Sequence, residues 1–282
     1  MPEASIRNVI VTGAASGVGA ATVSTLLGRG YAVHAFVRDP SSAAIGTGAV
    51  VPRMLACDIS DPFAVESAVD DVALHAAGEL HGVVHCAAIS MAAPVELTTS
   101  DDMRRILETN VIGSLSLIRA VMPLLRRSRG RLVAVSSLSG RVSMPLQGAY
   151  CASKAALEAL LDTLRREVAG QGVTVSIIQP GGIRTRMAVV HAREVAARMS
   201  RLSAEDSDNY RVIYQAHQRL VGAGRERSID PLEVVKSIVH ALESPHPRIR
   251  YKVGGDAREL LRRSRTLSDR RMDEYIDGLH RT

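Results

Sequence analysis

The stretch Thr12-Gly13-Ala14-Ala15-Ser16-Gly17-Val18-Gly19 decides how this chain folds. It follows Asn8–Thr12 (NVIVT), a short β-branched run that reads as a strand, and leads into Gly19–Arg29, which reads as a helix. Gly13 permits a tight turn, Gly17 lets backbone approach a pyrophosphate, and Gly19 allows close helix–strand packing. The helix N-terminus then offers unpaired N–H groups and the positive end of its dipole to phosphate. Three glycines in eight residues also make an ordinary turn. The strand–turn–helix setting is what favours nucleotide binding.

Outward from this loop, strand-length apolar runs alternate with helical segments. Ala32–Val37, Arg53–Cys57, Gly82–Cys86, Arg131–Ser136, Val173–Gln179 and Arg248–Val253 read as strands. Pro62–Ala77, Asp101–Leu125, Tyr150–Ala169 and Pro231–Leu242 read as helices. Near-continuous apolar strands between helices indicate a doubly wound parallel sheet, α/β in class, covered on both faces. No repeat or low-complexity linker interrupts it, so residues 1–282 read as one domain. From Gly181 to about Ile229 the alternation fails, and residues 182–230 are expected to form an irregular substrate lid.

Composition narrows the function. The chain has 282 residues, 46% hydrophobic and 23% charged, which excludes a disordered, collagen-like or coiled-coil protein. No apolar run is long enough to span a membrane, and Met1–Ser5 has neither the basic start nor the apolar stretch of a signal peptide. Cys57, Cys86 and Cys151 lack metal-site spacing and read as free thiols in a reducing cytoplasm. The net charge is +6, but from His246 to Thr282 ten basic residues face six acidic ones. The surplus thus sits largely in a basic C-terminal tail, about 255–282, without interleaved aromatics. A solvated helix is favoured there over a nucleic-acid surface. Only three lysines occur, Lys154, Lys236 and Lys252, so a lysine in a motif is a rare event.

One of them lies in Tyr150-Cys151-Ala152-Ser153-Lys154. On a helix, i and i+4 share a face, so the phenol and ammonium are neighbours. The expectation is that the cation lowers the tyrosine pKa and makes it a general acid/base near neutrality. Coincidence is the competing reading, and the position straight after a predicted strand and Ser137 weighs against it. At the end of the second strand, Val37 stands where an acidic residue would bind a ribose 2′-hydroxyl, and Arg38 follows. An arginine there pairs with a 2′-phosphate, favouring NADP(H) over NAD(H), although Asp39 beside it is able to meet the ribose.

Together these residues resemble the short-chain dehydrogenase/reductase family in its compact single-domain branch, over residues 8 to about 185 and more loosely beyond. The resemblance implies a single Rossmann-type domain. It assigns Thr12, Gly13, Ser16, Gly17, Val18 and Gly19 to the cofactor loop, with Arg38, Asp58, Ile59 and Ala87 on the adenosine side. Pro180, Gly181, Ile183 and Thr185 fall on the nicotinamide side. Asn110 in LETNV, Ser137 in VSS, Tyr150 and Lys154 match the catalytic tetrad. In it, Tyr150 is the acid/base and Ser137 holds the substrate oxygen. Lys154 tunes Tyr150 and binds the ribose, and Asn110 holds a relay water. One departure stands out: Cys86-Ala87-Ala88-Ile89 replaces the NNAG-type segment, the bracing Asn giving way to Cys86 and the glycine to Ala88.

Other features take plainer readings. His81 and His85 straddle a predicted strand, about 13 Å apart on one face, so no metal site is expected. Apolar residues in Asp101–Leu125 and Tyr150–Ala169 beyond one sheet-facing stripe suit core, and by resemblance a homodimer or homotetramer interface. Pro247–Gly254 loosely resembles relatives acting on steroids and retinoids. The expected activity is hydride transfer between nicotinamide and a fairly apolar ketone or secondary alcohol. The alternatives are an idle NADP(H)-binding sensor or scaffold, for which only the altered segment speaks, and an epimerase or dehydratase, for which the chain after Pro180 leaves little room.

Overall fold

The computed structural model describes residues 7–42 and 51–281, so the Met1–Ser5 stretch lies outside the described residues. Seven strands form one all-parallel sheet: β1 (Asn8–Thr12), β2 (Ala32–Val37), β3 (Arg53–Ala56), β4 (Gly82–His85), β5 (Arg131–Val135), β6 (Thr174–Pro180) and β7 (Arg250–Val253). Their order is β3-β2-β1-β4-β5-β6-β7. The order reverses between β1 and β4, which opens a crevice at the carboxyl ends of those strands. The strands are apolar on both sides because both faces are covered: Val9, Ile10 and Val11 are all fully buried.

On one face pack α1 (Gly17–Leu27) and α8 (Pro231–Glu243), through Val23, Leu26, Val234 and Ile238. On the other pack α2 (Pro62–His75), α4 (Gly113–Ser128) and α5 (Gly148–Glu167), through Val65, Leu117, Val121, Leu157 and Leu161. Burial of each such side chain stabilises the fold by about 1.5–3 kcal/mol. Local chemistry starts the helices where tertiary packing needs them. Asp61 accepts from Phe63 N and Ala64 N ahead of Pro62, and Asp230 caps α8 ahead of Pro231 in the same way.

Two expectations are corrected. The helix expected over Asp101–Leu125 is split into α3 (Ser100–Leu107), a π turn (Glu108–Ile112) and α4. The wider turn places Asn110, buried, against the CAAI segment and α5, contacts that sequence periodicity does not reveal. The segment expected to be irregular carries two helices, α6 (Arg186–Met199) and α7 (Ala204–Arg227). Their apolar residues are diluted by charge. Even so, Val195, Met199 and Tyr214 cluster with Ala92 and Leu146, and Arg198 pairs with Asp102 at 3.0 Å.

The basic C-terminal stretch is helical as expected, but it is not a freely solvated tail. It forms α9 (Gly255–Thr266) and α10 (Asp269–Arg281). Ala257, Leu260, Leu261 and Ile276 pack on Leu138 and Val142, just past Ser137. The i, i+3, i+4 spacing of Ala257, Leu260 and Leu261 is the stripe of a docked helix.

Candidate active site

The loop after β1 is built for close approach. Gly13 has φ +63°, and a Cβ there would stand 2.9 Å from the Ala87 backbone. A Cβ on Gly19 would collide with the Gly13 carbonyl oxygen. Ser16 caps α1 with extended backbone and makes no side-chain capping bond, and the first turn holds no acidic residue. Its N–H groups are left for an anion. Thr185, the N-cap of α6, brings its methyl beside Gly17, so the Pro180–Thr185 segment closes on the loop. Ile183 is fixed by a bridge to Ile229, with Arg184 N donating to the Ile229 oxygen at 3.0 Å. This cradle fits a dinucleotide pyrophosphate.

Thr12 is the hinge pin of the crevice. Its Oγ1 accepts from Cys86 N and Ala87 N, each at 3.1 Å. Asn110 takes the next turn of the same segment: Ile89 N donates to Oδ1 at 2.9 Å, and Nδ2 donates to the Ile89 oxygen at 2.9 Å. Cys86–Ile89 is therefore pinned at both ends without the asparagine and glycine of the family pattern. His81 and His85 are engaged separately, His81 accepting from Asn8 N and His85 bonding Thr12 and Ser114.

At the far side of the crevice stand Ser137, Tyr150 and Lys154. Ser137 ends the extended run after β5 and starts a 3-10 turn, its Oγ accepting from Ser139 N at 3.1 Å. Tyr150 and Lys154 share one face of α5, with the Lys154 Nζ 5.9 Å from the Tyr150 ring centre. Lys154 is only 2% exposed and donates to the Val135 oxygen at 3.1 Å.

The expected lowering of the Tyr150 pKa is not borne out. Burial pushes it up to about 12, with a hydrogen bond to Ser137 acting in the opposite direction. Burial also pushes Lys154 down to about 8, against the raising influence of Cys86 and Glu158. For both groups desolvation of the charged form is the largest cause.

Past β3, Asp58 accepts from Ser60 N at 2.9 Å and Ser60 Oγ at 2.7 Å. These bonds hold its carboxyl below the usual range against burial, and Arg38 adds to the lowering. Arg38 is exposed, and Ile59 is buried in the core. Asp39 is turned into its own loop, accepting from Ser41 N at 2.9 Å and Ser41 Oγ at 2.6 Å.

Three residues near the site escaped sequence reasoning. His85 joins the two halves of the crevice. Glu158, one turn after Lys154, is 1% exposed and accepts from Ser136 Oγ, Gln179 Nε2 and Arg141 Nε at 2.8–2.9 Å. Asp256 accepts from Gly182 N at 2.7 Å and so ties α9 to the Pro180–Thr185 segment. A lone polar residue at the end of an apolar strand, and the i+4 continuation of the Tyr–Lys face, were the signals available.

Comparison with known proteins agrees with this geometry. A family model described as short chain dehydrogenase matches residues 7–195. The chain is 34% identical to human retinol dehydrogenase 5 over 266 residues, covering 89% of this chain and 82% of that protein. It is 31% identical to 3-amino-tetrahydro-pyrrolizinone reductase of Xenorhabdus hominickii, covering 96% and 95%. A short-chain dehydrogenase structure from Streptomyces avermitilis superposes with a TM-score of 0.76 at 25% identity, covering 92% and 91%. One from Burkholderia cenocepacia J2315, in complex with NADP, gives 0.71 at 25%, covering 94% of each. The chain therefore belongs to the short-chain dehydrogenase/reductase family, enzymes that interconvert CH–OH and C=O groups.

Proposed function

We propose that this enzyme is an NADP(H)-dependent carbonyl reductase or secondary-alcohol dehydrogenase for a fairly apolar substrate, working in the cytoplasm as a homodimer or homotetramer. The observation that carries the reading is the shared face of α5 that brings the Lys154 Nζ to 5.9 Å from the Tyr150 ring centre, buried beside the Ser137 turn. When bound, the dinucleotide supplies the hydride that reduces the carbonyl carbon, or takes it up in reverse. In reduction, Tyr150 gives its phenolic proton to the carbonyl oxygen, which Ser137 holds by donating to it. Burial keeps the Tyr150 phenol protonated, so it carries the proton that reduction takes up. Lys154, near 8, exchanges protons close to neutrality. The Asn110 side chain is committed to Ile89 and Ser153. Its main-chain oxygen, which accepts from Ser114 Oγ, is the acceptor we assign to a relay water.

Exposed Arg38, and Asp39 occupied by Ser41, favour a 2′-phosphate over a free ribose. The NADP complex of the Burkholderia relative supports the same choice. Relatives named for retinol and for a pyrrolizinone support an apolar alcohol or ketone. Residues 182–230 act as the lid of a single domain. Ile112 and Leu115, left exposed on the α4 side, are the candidate contact between copies.

Calorimetric titration with NADPH and NADH, followed by turnover of Tyr150→Phe, tests the proposal. NADPH is expected to bind the more tightly. Tyr150→Phe should retain that binding while losing about 10²-fold or more in kcat. Near wild-type turnover by the variant would falsify the acid/base role, and tighter NADH binding would overturn the cofactor choice.

A further inference from the structure

Two runs of hydrogen bonds, joined through the backbone and side chain of Asn110, cross the crevice from the glycine loop to α5. The centre of the first is His85, the last residue of β4, 4% exposed. One ring nitrogen, Nδ1, lies 2.8 Å from Thr12 Oγ1, and the other, Nε2, lies 2.8 Å from Ser114 Oγ. Beyond Ser114 the run continues to the main-chain oxygen of Asn110, which accepts from Ser114 Oγ at 2.8 Å. The Asn110 Nδ2 in turn donates to Ser153 Oγ at 2.9 Å, and Ser153 Oγ donates to the main-chain oxygen of Tyr150, within α5, at 2.8 Å.

Counting donors fixes the direction of every bond. Thr12 Oγ1 already accepts two N–H groups, from Cys86 and Ala87, which fills its two lone pairs. Its bond to His85 therefore uses the hydroxyl proton, and Nδ1 is the acceptor. A neutral imidazole with an unprotonated Nδ1 carries its proton on Nε2. That proton goes to Ser114 Oγ, and the Ser114 hydroxyl proton goes to Asn110. Reversing His85 would give Thr12 three donors and leave its own proton without an acceptor.

We propose that His85, locked as the Nε2–H tautomer, is a positioning residue that sets the spacing between the dinucleotide loop and the Asn110 turn on which the catalytic helix leans. The idea rests on the reading of Gly13–Gly19 as the dinucleotide cradle. It also accounts for the altered segment: with Cys86 and Ala88 in place of asparagine and glycine, the imidazole before them spans the crevice instead.

Side-chain geometry allows the two halves of the bridge to be cut separately. In His85→Asn, the Oδ1 stands as many bonds from the backbone as Nδ1, so the Thr12 contact survives and the Ser114 contact is lost. In His85→Gln, the Nε2 stands where the imidazole Nε2 stood, so the Ser114 contact survives and the Thr12 contact is lost. The experiment combines ¹⁵N NMR of histidine-labelled protein with NADPH titration and steady-state kinetics on a ketone reduced by the wild-type enzyme.

The wild-type spectrum should show His85 as the Nε2–H tautomer, unchanged between about pH 6 and 8. His85→Asn should keep the NADPH Kd within about threefold while kcat falls about tenfold or more. His85→Gln should weaken NADPH binding about tenfold and leave kcat at saturating NADPH within about threefold. An Nδ1–H or doubly protonated ring overturns the proposal. So do variants in which Kd and kcat worsen together in step with lost Tm, the mark of a histidine that only packs. Failure of wild-type protein to bind NADPH instead overturns the functional reading, and the tautomer remains measurable on its own.

Discussion

His34 and His85 are both buried and held neutral. Burial, aided for His34 by Arg53 and for His85 by Lys154, pushes their pKa values down to about 4 and about 3. Unfolded histidine takes its proton near 6.5. Between that pH and the folded value, the unfolded chain binds more protons, so stability falls as pH falls. Each such histidine adds a slope of up to about 1.4 kcal/mol per pH unit. His34, which bonds Asn8 and lies away from the crevice, isolates the effect. His34→Val is expected to lower stability at pH 7 yet flatten its decline between pH 6.5 and 4.5, by about 1 kcal/mol per unit. Urea unfolding at several pH values checks it, and an unchanged slope would refute it. At this scale, legibility followed sequence distance. The Tyr150–Lys154 pair and the glycine loop are written in single turns, whereas Thr12 and His85 lie 73 residues apart.

Among the elements, α5 shows how one helix face does several jobs. Tyr150, Lys154, Glu158 and Asp162 follow each other at i+4. The first pair faces the candidate site. The second meets Arg141 and Arg250, with Arg250 to Asp162 at 2.6 Å and Arg141 to Glu158 at 2.8 Å. Burial alone would raise Asp162, but Arg250, Arg141 and Arg165 hold it below the usual carboxylate range. Glu158 thus joins the ends of β5 and β6 directly behind Ser137 and Pro180. Glu158→Gln is expected to cost about 3 kcal/mol, because the largely covered Arg250 and the buried Ser136 and Gln179 side chains lose a charged acceptor. A denaturation midpoint within error of wild type would sink this account. The split of the Asp101–Leu125 helix around the π turn belongs to the same scale. Its cause is the fit of Asn110 to Ile89 and Ser153, which no hydrophobic period records.

For the molecule as a whole, strand order and helix layers were readable because a parallel sheet needs apolar strands and long crossovers. The C-terminal hairpin was not, because charge hides the stripe through which Leu260, Leu261 and Ile276 meet Leu138 and Val142. Ending the chain after Ser268 removes α10, including Tyr275 with Arg263 stacked 4.2 Å over its ring. The loss is expected to be about 3 kcal/mol, from one buried isoleucine and several half-buried partners. NADPH affinity should be retained, since the glycine loop lies across the crevice. Calorimetric melting and dinucleotide titration of the shortened protein decide both points, and unchanged stability would return the helix to the role of a solvated tail.

The scarcity of lysine has a practical consequence. Of the three side-chain amines, Lys236 is largely open to solvent, while Lys154 is sealed at 2% exposure. An acylating reagent at mild pH will label Lys236 at once and reach Lys154 only when the fold opens. The mass spectrum of a single peptide then becomes a clock for opening of α5, needing neither substrate nor dye.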